Sequence, residues 1–65
     1  MITINGKNIF LEDGYILAEY LKKKEYPIQR IAVEINGNMI PKSKYDTTIL
    51  KDNDIIEIVS FVGGG

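Results

Sequence analysis

Asn-Gly occurs twice in this chain, at Asn5-Gly6 and Asn36-Gly37, each time between short segments in which apolar and polar residues alternate. The two central positions of a type I′ turn need positive φ, which Asn and Gly tolerate, so each pair predicts a tight β-hairpin. Between the two hairpins one stretch has helical spacing. Residues 15–24 place Leu17, Tyr20, Leu21 and Lys24 at i, i+3, i+4 and i+7, and the first three form a short apolar stripe. Ala18, Glu19 and the lysines favour helix. Glu19 and Lys23 stand four apart in the favourable order, a pairing worth about 0.2–0.5 kcal/mol. Pro27 blocks continuation, because the residue before a proline is pushed out of the α region.

The strands follow from alternation with period two. Ile2 and Ile4 alternate with Thr3 and Asn5, which gives a half-buried strand over 1–5 and a returning strand over 8–11 that Asp13-Gly14 ends. Residues 30–36 are the clearest strand, with Ile31, Val33 and Ile35 on one face and Arg30, Ala32 and Glu34 on the other. Met39-Ile40 predicts a short strand closed by Pro41. Residues 41–48 are polar, with one helical turn expected around 43–45, and Ile49-Leu50 predicts another short strand segment. A turn over 51–54 leads into the last strand, over 54–61. One helix cannot separate two layers, so it must lie across one face of a single mixed sheet. The first and last strands are expected to pair in parallel at its centre. This is an α+β fold in the β-grasp, or ubiquitin-like, arrangement, with one domain over residues 1–62 and a flexible glycine tail over 63–65.

Sixty-five residues with 45% hydrophobic content and a net charge of −1 describe a small folded domain rather than a disordered chain. No basic excess exists to neutralise phosphates, so nucleic acid is not an expected partner. Lys22-Lys23-Lys24 reads as a solvated helix end complementing the helix dipole. The chain has no cysteine and no histidine. It therefore lacks a thiolate nucleophile, the usual acid-base group at neutral pH and the commonest metal ligands, and no metal site is expected. Glu12-Asp13, Asp52 and Asp54 flank turn signals and read as turn residues. No signal peptide and no membrane-spanning run is seen, so a cytoplasmic protein that does not act on membranes is expected. These absences point to a module on which other enzymes act, not to an independent enzyme.

What remains is the end of the sequence, Val62-Gly63-Gly64-Gly65. Glycine has no Cβ, so Gly63 and Gly64 can thread a narrow channel and present the carboxylate of Gly65. If Ile56 and Ile58 face the helix, then Ile55, Glu57, Val59 and Phe61 face away from it. Val59 and Phe61, with Val62, then form an apolar docking patch beside the tail.

Two segments carry a family resemblance. Ala32-Val33-Glu34-Ile35-Asn36-Gly37-Asn38-Met39-Ile40-Pro41-Lys42-Ser43-Lys44-Tyr45 resembles the A-V-x-x-N-G-x-x-V-P-R-S-x-W segment of the sulfur-carrier proteins of bacterial thiamine biosynthesis (ThiS). Lys51-Asp52-Asn53-Asp54, followed by Ile56-Glu57-Ile58-Val59-Ser60-Phe61-Val62-Gly63-Gly64-Gly65, resembles that family's ending. Ile4-Asn5-Gly6 and the Ala18-Glu19-x-Leu21 helix also fit, so the resemblance spans essentially the whole chain. Asn53 stands where Gly is usual and Tyr45 where Trp is common; neither touches the tail.

The resemblance implies a carrier with no cofactor of its own. A partner adenylyltransferase would use ATP to adenylate the Gly65 carboxylate. Sulfur from a cysteine desulfurase or another source would then convert it to a thiocarboxylate, the sulfur donor to thiazole synthase. Two other readings stay open on the residues: the sulfur-carrying small subunit of molybdopterin synthase, which also ends in Gly-Gly, and a non-covalent β-grasp binding module whose tail is never modified.

Overall fold

The computed structural model describes residues 1–12 and 14–61. Asp13 of the expected Asp13-Gly14 turn, and Val62, Gly63, Gly64 and Gly65, lie outside the described residues.

β1 (Ile2–Ile4) and β2 (Lys7–Ile9) form the first hairpin. Its turn has Asn5 at φ 50° and Gly6 at φ 81°, as a type I′ turn requires. The helix α1 (Leu17–Lys23) follows, then a 3₁₀ turn (Ile28–Arg30) that leads into β3 (Ile31–Ile35). β4 (Asn38–Ile40) returns from β3 through Asn36 and Gly37, at φ 51° and 85°. A second 3₁₀ turn (Lys42–Lys44) and an irregular segment lead to β5 (Ile55–Ser60). The five strands form one mixed sheet in the order β2-β1-β5-β3-β4. β5 is central, parallel to β1 and antiparallel to β3.

One face of the sheet is covered. Ile2, Ile4, Ile31, Val33, Ile35, Ile56 and Ile58 pack with Leu17, Tyr20 and Leu21 of α1, and Tyr45 and Leu50 complete the core. Burial holds the hydroxyls of Tyr20 and Tyr45 above the usual tyrosine pKa, because desolvation disfavours the phenolate.

Several expected boundaries shift, each for a local reason. The second strand spans 7–9 instead of 8–11, because the two-residue turn brings Lys7 directly opposite Ile4. Phe10 leaves the sheet and is 84% exposed. The helix is shorter than 15–24. Tyr15 lies outside the helix, and Ile16 is extended and bridges Ile49, so residues 49–50 make a single bridge rather than a strand. The exposed N–H groups at the start of α1 are met by the irregular segment. Leu17 N–H donates to the Thr48 carbonyl (2.8 Å), Ala18 N–H donates to the Tyr45 carbonyl (3.0 Å), and Leu50 N–H donates to the Tyr15 carbonyl (2.8 Å). Backbone carbonyls thus do the work of a side-chain cap.

Nor does Pro27 end the helix. Glu25 adopts the left-handed region at φ 60°. Tyr26 N–H then donates to the Leu21 carbonyl and Glu25 N–H to the Lys22 carbonyl, at 2.9 and 3.0 Å. This is a Schellman closure with glutamate in the position glycine usually takes. Glu19 and Lys23 form no ion pair; among the described residues that contact is made by the N-terminal ammonium and Asp52.

Candidate functional site

The candidate site is the outer face of β5 together with Phe61, which follows it. Alternation along β5 puts Ile56 and Ile58 beneath α1 and turns Ile55, Glu57 and Val59 outward. Val59 is 55% exposed and Phe61 56%, on the side expected from the sequence. Phe61 is held although it lies past the last residue of β5. Its N–H donates to the Arg30 carbonyl at 2.6 Å and carries the β3–β5 ladder one step further. The chain is therefore fixed by the sheet up to residue 61. Val62 and the three glycines, the remaining residues of the expected site, lie outside the described residues.

Two asparagines fix β5 from either side. The Asn5 carboxamide donates from Nδ2 to the Ile58 carbonyl (3.2 Å) and accepts at Oδ1 from Ile58 N–H (2.7 Å), so it stands in for a peptide unit beyond the end of β1. Asn36 does the same at the start of β5. Its Oδ1 accepts from Ile55 N–H (2.9 Å) and its Nδ2 donates to Asp54 Oδ1 (2.9 Å), while its own N–H donates to the Ile55 carbonyl (2.8 Å). Asp54 also accepts from Lys51 N–H at 2.8 Å and so closes the 51–54 turn. The sequence marked both asparagines as turn formers. Their role as clamps on the strand that leads to the tail is visible only in three dimensions.

Among the described residues no three acidic, Cys or His side chains gather as metal ligands, and no helix is long and apolar enough to cross a membrane. A hollow of about 610 Å³ beside the start of α1 is lined by Glu12, Gly14, Tyr15, Glu19, Lys22 and Lys23 and shares no residue with the open sheet face. Asp52 has its carboxyl held below the usual range, first by a hydrogen bond from the N-terminal ammonium and then by that charge. Both groups are solvent-exposed, and the pair ties the chain's first residue to the 51–54 turn.

Comparison with known proteins gives one consistent result. The model of the ThiS family matches residues 2–65. The sulfur carrier protein ThiS of Bacillus subtilis is 36% identical over 66 residues, spanning 100% of both chains. A crystal structure of a thiamine biosynthesis protein (ThiS) from Geobacter metallireducens superposes with a TM-score of 0.79 at 30% identity, covering 98% of this chain and 97% of that one. A thiazole synthase from Paramagnetospirillum magneticum contains a stretch 33% identical over 64 residues, which is 98% of this chain but 20% of that protein.

Proposed function

Because this chain belongs to the ThiS family, we propose that it carries sulfur for thiazole formation in thiamine biosynthesis, with Gly65 as the carrying residue. One observation supports this most directly. The central strand is held by backbone and asparagine hydrogen bonds up to Phe61, and the four residues that follow are Val62 and three glycines. A rigid strand aims the end of the chain, and glycines add no side chain that would obstruct a narrow channel. On this reading residues 1–62 form the folded domain and 63–65 its threading tail.

The chemistry follows from the lack of a thiol. A carboxylate resists nucleophiles because it is negatively charged. Attack of the Gly65 carboxylate on the α-phosphorus of ATP, in a partner adenylyltransferase, expels pyrophosphate and gives a neutral acyl-adenylate centre with a good leaving group. The terminal sulfur of a persulfide, charged by a cysteine desulfurase or another source, displaces AMP. A thiol then cleaves the sulfur–sulfur bond and leaves a thiocarboxylate. The protein acts as substrate and courier, not as an enzyme, and binds no cofactor itself. Docking of the folded domain through Val59, Phe61 and Val62 supplies the proximity that a free carboxylate lacks. Thiazole synthase is the proposed acceptor. The joining of such a module to a thiazole synthase in Paramagnetospirillum supports that choice over the molybdopterin branch. All the proposed steps belong in the cytoplasm.

ATP–pyrophosphate exchange tests the first step. The adenylyltransferase from the same organism is expected to exchange label only when this chain is present. Deletion of Gly65 is expected to abolish the exchange while the circular-dichroism spectrum and melting temperature stay unchanged. Exchange that survives the deletion would remove Gly65 from its role.

A further inference from the structure

The open face of the sheet carries an arrangement that works against folding. β3 and β5 pair antiparallel with Glu34 directly opposite Glu57. The bonds from Asn36 N–H to Ile55 and from Phe61 N–H to Arg30 mark residues 36/55 and 30/61 as hydrogen-bonded pairs. Such pairs alternate along a ladder, so Glu34/Glu57 is one too, with its Cα atoms about 5.5 Å apart. Like charges placed directly opposite destabilise a sheet. Among the described residues neither glutamate has an ion-pair partner, since that contact is confined to Met1 and Asp52. Apolar groups flank the pair. Ile55 and Val59 flank Glu57 on β5, and Met39 lies opposite Glu34 on β4; all three are more than half exposed. Two carboxylates thus sit among the exposed apolar side chains of the uncovered face, on the strands that lead to Phe61.

A single cation arriving from outside would meet both carboxylates. A guanidinium suits the gap better than an ammonium, because its planar set of N–H donors can serve carboxylates along two edges. Once the apolar neighbours are covered and water is excluded, that attraction strengthens. The repulsion present in the free chain is relieved at the same moment.

We infer that the open sheet face docks a partner protein surface that is apolar around one central arginine, seated between Glu34 and Glu57. The inference rests on the carrier reading above and deepens it, and the partner is the adenylyltransferase. A site that holds the phosphates of ATP is electropositive, and an anionic pair on the open face steers the chain toward it.

The Michaelis constant for this chain in ATP–pyrophosphate exchange, measured at low and high salt, tests the assignment. The double variant Glu34→Gln/Glu57→Gln is expected to raise KM about tenfold or more and to lose most of the salt dependence seen with the unchanged chain. Its melting temperature is expected to rise, since a repulsion has been removed, so the loss cannot be put down to unfolding. Glu12→Gln/Asp46→Asn removes the same net charge away from the open face and is expected to leave KM within about twofold. A double glutamine variant with unchanged KM and salt dependence, or a control that raises KM as much as the double glutamine variant does, would overturn the arginine slot and leave the carrier reading standing. No exchange with the unchanged chain would overturn both.

Discussion

The two faces of the sheet are built from the same strands and differ in almost everything else. On the inner face Ile2, Ile4, Ile31, Val33, Ile35, Ile56 and Ile58 lie beneath α1 and are buried. On the outer face Ile55, Val59, Met39 and Phe61 are exposed, and Glu34 and Glu57 oppose each other. The inner face obeys the rules of a stable sheet throughout. The outer face breaks one, by opposing like charges among exposed apolar groups, and such local breaches are characteristic of functional surfaces. Burial and exposure are therefore separated by one residue's step along β5.

The comparison is broken most severely from the inside. Ile56→Ala is expected to cost about 2–5 kcal/mol through lost burial and the cavity left behind. A 65-residue domain has about 3–5 kcal/mol in total, so thermal or urea denaturation should find this variant largely unfolded. Its neighbour variant Ile55→Ala should stay within about 0.5 kcal/mol of the unchanged chain. Equal losses would show that the outer face is packed in solution. Asn36→Asp comes next, at about 1–3 kcal/mol in urea, because it removes the donor to Asp54 and places two carboxylates together. Asn36→Gly keeps the left-handed turn while losing the clamp. If it costs nothing, the carboxamide is only a turn former.

Phe61→Asp reverses the pattern. Its effect should fall on KM for pyrophosphate exchange, by about tenfold or more, with stability changed by less than about 0.5 kcal/mol. Severe unfolding would place Phe61 on the wrong face. Glu25→Gly should stabilise the chain by about 0.5 kcal/mol, since glycine takes the left-handed position without strain. The pH dependence is the mildest test. Tyr20 and Tyr45 have pKa values raised above 10.0 in the folded chain, so their contribution is complete below pH 10.0 and is lost as pH rises through the folded values. Asp52 is lowered, so its contribution holds above the usual carboxylate range and is lost on acidification through its folded value. The chain has no histidine to titrate near neutrality.

Much of this was legible in the sequence because the informative signals are local. The Asn-Gly turns, the isoleucine alternation and the Leu17-Tyr20-Leu21 stripe each act over a few residues, and together they imply the sheet order and the covered face. The outward position of Val59 and Phe61 followed from period two alone. What stayed hidden depends on contacts distant in sequence. The start of α1 is capped by carbonyls of residues 45 and 48, which any residue type could supply. The Schellman closure lacks its glycine signal. The clamps of Asn5 and Asn36 on β5 join residues 53 and 19 positions apart. The opposition of Glu34 to Glu57 needs the β3–β5 register, and 19 residues separate those two strands in sequence.

Gly65 is the proposed sulfur-carrying residue. Fragment-resolved mass spectrometry of the full chain, after incubation with the adenylyltransferase, ATP and a persulfide source, tests it most directly. The expected result is the exchange of one oxygen for one sulfur, confined to the fragment that ends in Gly65 and dependent on ATP. An unmodified C-terminal fragment from a chain that supports pyrophosphate exchange, or sulfur found on any other residue, would contradict it.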